Sequence, residues 1–168
     1  MQNKVKKTAV FAMLLAVSLI LSYAESLIFS DVFLPGIKLG LSNIAVVVAL
    51  YFFGFAPALI LGIAKSVISL LIFGRLSALL YSVLGIVFSV TVMFAVKKTG
   101  VFSVFGVGIS GAASHIVGQL VAACIMLSSP YPLTLFPVLC LLSVVSAAIL
   151  YFPERIILSF LRKKNSFE

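Results

Sequence analysis

The sequence predicts an all-α integral membrane bundle of about six transmembrane helices with both termini in the cytoplasm. Three observations predict it. Hydrophobic residues make up 63% of the 168-residue chain and the mean hydropathy is +1.32, an apolar excess that a water-soluble domain of this size cannot hide in its core. The apolar residues are gathered into runs near the ~20 residues that a helix needs to cross the hydrocarbon layer. The cations stand beside those runs rather than inside them.

Glycine, proline and charge divide the chain into spans at about 8–29, 40–55, 57–73, 77–96, 102–127 and 133–151, all within a single domain. The first follows Lys4, Lys6 and Lys7, and the triplet Ser22-Tyr23-Ala24 gives it the look of a cleavable leader. Its apolar character continues to Phe29, interrupted only by Glu25, so it reads as an uncleaved first span. Lys97 and Lys98 close the fourth run, and Arg162, Lys163 and Lys164 follow the last. Cytoplasmic loops carry the excess of Lys and Arg, which places these three basic segments on the inner side. Residues 153–164 form a short amphipathic continuation, either lying along the interface or extending the last helix. Strands are excluded, because hydrocarbon offers no partners to an open sheet edge and the runs lack the alternation of a membrane barrel.

The net charge of +8 does not mark a nucleic-acid partner, because the cations flank apolar runs instead of lining a polar face with interleaved aromatics. Cys124 and Cys140 lie in apolar segments without metal-ligand spacing and read as packing residues. The stretch Gly106-Val107-Gly108-Ile109-Ser110-Gly111 satisfies G-x-G-x-x-G, yet no βαβ unit surrounds it and no acid follows at the ribose-binding distance. Its physical meaning is packing: Gly111, Ser114, Gly118 and Ala122 make a small-residue stripe against which another helix can close.

The informative residues are those that hydrocarbon tolerates poorly. An ionisable group at mid-membrane costs at least ~2.5–3.5 kcal/mol, so each one present calls for a reason. Glu25 lies toward the outer end of the first span, Asn43 near the outer end of the second, Lys65 near the middle of the third, and His115 near the middle of the fifth. Gln119 is one turn beyond His115 on the same face. Together with the loop residues Lys38 and Arg75 they outline an outward-facing polar pocket, in which the cations outnumber Glu25 and favour an anionic or zwitterionic small-molecule ligand. The alternative is structural: a Glu25–Lys65 ion pair, with His115 and Gln119 capping nearby backbone.

Catalytic patterns are not found. Asp31 is the only aspartate and no two acids are near each other in sequence, so the carboxylate cluster of a Mg²⁺-dependent diphosphate site cannot be built from this chain alone. There is no phosphate loop for ATP, and the single histidine has no neighbouring aspartate for a Ser-His-Asp site. The chain reads as a non-enzyme without cofactor or metal.

At Glu25-Ser26-Leu27-Ile28, Pro35-Gly36-Ile37-Lys38-Leu39-Gly40-Leu41-Ser42-Asn43, Phe73-Gly74 and His115-Ile116-Val117-Gly118-Gln119 the sequence resembles the bacterial membrane family labelled Gx transporter or heptaprenyl diphosphate synthase component I. The resemblance covers nearly the whole chain, and that family is similar in turn to the substrate-binding S components of ECF transporters. It implies a subunit that captures a vitamin-like solute. It also implies a transmembrane coupling subunit with separate ATPases, docking at an A-x-x-x-A motif matched by Ala12 and Ala16. The enzyme label implies instead a noncatalytic membrane component of polyprenyl diphosphate and menaquinone synthesis. A structural subunit of a membrane redox complex is a third possibility.

Overall fold

The computed structural model describes residues 2–29, 41–73 and 76–165. They form six α-helices in chain order: α1 (Gln2–Phe29), α2 (Asn43–Phe52), α3 (Phe55–Phe73), α4 (Leu76–Lys98), α5 (Val104–Leu127) and α6 (Phe136–Asn165), with a 3-10 segment at Tyr131–Leu135 before α6. Five of the helices are long and apolar enough to cross a membrane, and the chain is a multi-pass membrane protein. Large apolar side chains such as Leu71, Leu141, Ile149 and Phe160 project from the bundle, where lipid covers them.

The second helix departs from the sequence expectation of a run over 40–55. With 10 residues it rises about 15 Å, roughly half the hydrocarbon thickness. Every residue from Asn43 to Leu50 is buried, as a helix apolar on all sides must be. It packs against each of the other five α-helices and forms the axis of the bundle. Its carboxyl end turns through Gly54, whose φ of +96° suits a residue without Cβ, directly into α3.

The helix pair with the most extensive contact is α4 with α5. Here the small-residue stripe acts as expected. A Cβ on Gly118 would stand 2.5 Å from the Leu84 carbonyl oxygen, and one on Gly111 would collide with the Met93 thioether. Ser89 Oγ donates to the Gly111 carbonyl at 2.9 Å and ties the two backbones together.

At the far end of α5, Ser128 takes a left-handed conformation and its N–H closes the helix on the carbonyls of Cys124 and Ile125. α6 then runs unbroken through Pro153, so of the two expectations for residues 153–164 the helical extension is the one adopted, as far as Asn165.

Candidate functional site

Depth in the bundle follows from one contact. Lys97, at the basic end where α4 finishes, donates from Nζ to the Leu50 carbonyl at 2.9 Å and sits over the Tyr51 ring. Seven residues separate Leu50 from Asn43, a rise of about 10 Å, so α2 begins well inside the bundle. Asn43 therefore occupies the interior start of a half-length helix, not the outer end of a full span. The cause is tertiary: most of α2, Asn43 to Leu50, is enclosed by the other five helices.

Lys65 lies ten residues into α3, about 15 Å from its start, and reaches the same level. Its side chain is buried, and Nζ donates to Ser42 Oγ at 2.7 Å. Ser42 is the residue that would ordinarily cap α2, but it makes no side-chain cap; its oxygen accepts from the ammonium instead. An amino-terminal helix end carries about half a positive charge, and a buried ammonium beside it adds a whole one. Such an arrangement attracts an anion strongly. Glu25 supplies one negative charge within the fold: it is fully buried on α1, which packs on both α2 and α3.

Asn43 adds an unsatisfied amide. It is 7% exposed, and neither its Oδ1 nor its Nδ2 has a hydrogen-bond partner among the described residues. Buried polar atoms without partners are uncommon and point to a ligand, an ion or water.

His115 and Gln119 form a second polar unit. Gln119 Nε2 and His115 Nε2 are 3.0 Å apart, one turn from each other on α5, both buried. The imidazole fills the space over Gly85 of α4, where a Cβ would come within 2.7 Å of Cε1. Its neighbour at that seam is the surface of α4.

Between α2, α4, α5 and α6 lies a narrow cleft lined by Asn43, Met93, Gly108, Ser143 and Glu154 among others. Its interior admits about one water molecule. Glu154 is 4% exposed and has no ionic or hydrogen-bond partner among the described residues. Sequence reasoning left Glu154 in the amphipathic tail. The signal that finds it is spacing: Ser143, Ala147, Leu150 and Glu154 repeat at intervals of four, three and four and share the buried stripe of α6.

Of the expected site residues, then, Lys65 binds Ser42, the residue before Asn43 at the start of α2, His115 and Gln119 pair on α5, and Glu25 is buried on α1. Lys38 and Arg75 lie outside the described residues. Ala12 and Ala16 are both exposed on α1.

Fold and interior together define a multi-pass helical membrane protein with a charged centre. The chain belongs to the family described as heptaprenyl diphosphate synthase component I, which matches residues 14–153. No curated protein and no solved structure matches the chain.

Proposed function

We propose that the chain is a noncatalytic membrane subunit that binds a small anionic or zwitterionic solute for uptake, as the substrate-binding subunits of ECF transporters do. The observation that carries the proposal is the interior start of α2, left without a side-chain cap and set beside the buried Lys65 ammonium. Discontinuous helices that begin inside a membrane present their positive ends to anionic groups of a substrate. Lys65 and Asn43 contact the ligand in this reading, Lys38 and Arg75 supply further positive charge, and Glu25, His115 and Gln119 complete the polar wall.

The energy for uptake comes from separate ATPases through a transmembrane coupling subunit. That subunit docks on α1 at Ala12 and Ala16. These residues and Ile20 follow one another at four-residue spacing, and all three are exposed. Small residues at this spacing let a foreign helix approach closely.

A second reading is favoured by the family match. In it the chain is a membrane component of heptaprenyl diphosphate synthesis, and the anion attracted by Lys65 is a diphosphate. Affinity purification from native membranes separates the readings. Recovery of ATPases with a transmembrane coupling protein supports uptake, and recovery of a soluble prenyl synthase supports the second. Recovery of flavin or iron–sulfur proteins would overturn both in favour of a redox complex.

A further inference from the structure

We propose that Ser69 is a further ligand-contacting residue of the interior anion site, its hydroxyl donating to an oxyanion whose charge Lys65 meets. The proposal rests on the uptake reading and extends it by one residue. Ser69 follows Lys65 by four residues on α3, so the two share a face, with Cβ atoms about 5–6 Å apart. Ser69 is the nearer of the two to the outer end of α3, where a solute arriving from outside meets it before Lys65.

A serine inside an apolar helix commonly returns its proton to a carbonyl three or four residues back. Ser66 does so to Gly62 at 2.9 Å, Ser18 to Leu15 at 2.7 Å and Ser143 to Cys140 at 2.9 Å. Ser69 is buried as they are, yet its Oγ has no hydrogen-bond partner among the described residues. A buried hydroxyl in that state is costly unless something outside the chain accepts from it. The charge one turn away decides what that is. Beside the Lys65 ammonium and the positive start of α2 a cation is repelled, and an anionic acceptor is favoured. The helices packed on α3 are α1, α2 and α4, and their one carboxylate, Glu25, does not accept from Ser69. Two donors set a turn apart suit an anion with more than one acceptor oxygen.

The test places a thiol at this position. Ser69→Cys is combined with Cys124→Ser and Cys140→Ser, and the full-length protein in right-side-out membrane vesicles is treated with an anionic sulfonate methanethiosulfonate and, separately, with its cationic trimethylammonium counterpart. Each rate is divided by the rate of that reagent with free cysteine. The anionic reagent should be preferred by about tenfold, and adding Lys65→Met should bring the ratio close to unity. No modification, no anionic preference, or a preference that Lys65→Met leaves unchanged would overturn the proposal. Ser69→Ala, washed free of small molecules, provides a second readout: its unfolding temperature in detergent should equal or exceed that of wild type, since no bond within the chain is lost. A lower value would reveal a protein partner for the hydroxyl and would also overturn the proposal. Neither failure touches the uptake reading, which depends on whether Lys65→Met loses its bound anion.

Discussion

Lys65 Nζ and Ser42 Oγ are 2.7 Å apart and joined by a hydrogen bond that spans 23 residues of sequence, linking the middle of α3 to the start of the central helix. The contact turns the residue best placed to cap α2 toward a cation. It leaves a positive helix end and a positive side chain side by side in the interior.

The first prediction concerns that pair. Lys65→Met keeps most of the apolar stem and removes the charge, so the fold should survive while affinity for an anionic ligand drops by about 10–100-fold, the equivalent of about 1.5–3 kcal/mol for a charged hydrogen bond. Ser42→Ala should act differently. It takes an acceptor from a buried ammonium and should lower the stability of the protein itself by about 1–3 kcal/mol. Ligand binding and thermal unfolding, measured on both variants, distinguish the two effects.

The α4–α5 seam makes a graded prediction. Gly118→Ala sets a methyl group against backbone, the Leu84 carbonyl, which cannot yield without separating the helices; a loss of about 1–3 kcal/mol is expected. Gly111→Ala meets the flexible side chain of Met93 and should cost less. Unfolding in detergent ranks the two, and the reverse order would refute the seam as described.

A third prediction couples His115 to Gly85. Gly85→Ala drives a methyl into the imidazole and should destabilise the protein, whereas the same change in a His115→Ala background no longer meets the ring that holds its nearest contacts and should cost less. A double-mutant cycle should return a coupling of about 0.5–3 kcal/mol. Additive effects would place the ring elsewhere.

Five of the helices could be read from the sequence because a long apolar run bounded by charge has one stable outcome in lipid. The half-length of α2 could not. Hydropathy over 40–55 reports how apolar a segment is, not whether it is enclosed by neighbours, and the enclosure of Asn43 to Leu50 by all five other helices is a tertiary fact. The same limit applies to the site. Lys65 stood out as an ion among aliphatic residues, but Ser42 has no local mark of its role, since its partner is distant in the chain. Glu154 was hidden for a different reason. Pro153 and Arg155 beside it suggest a helix leaving the membrane, while its register with Ser143 and Leu150 shows it turned inward.

The exposed face of α1 provides a fourth prediction. Ala12→Phe and Ala16→Phe add bulk where none of the described residues occupies the space, so the isolated protein should keep its unfolding temperature. Recovery of the coupling subunit in affinity purification should fall sharply for both. Full recovery with both variants would move the docking face away from these residues.

The most direct test of the central claim, an anion held at the interior start of α2, is native mass spectrometry of the protein released from membranes, comparing wild type with Lys65→Met. Wild type should carry a small acidic molecule whose occupancy collapses in the variant. An identical adduct at equal occupancy in both proteins would contradict the account.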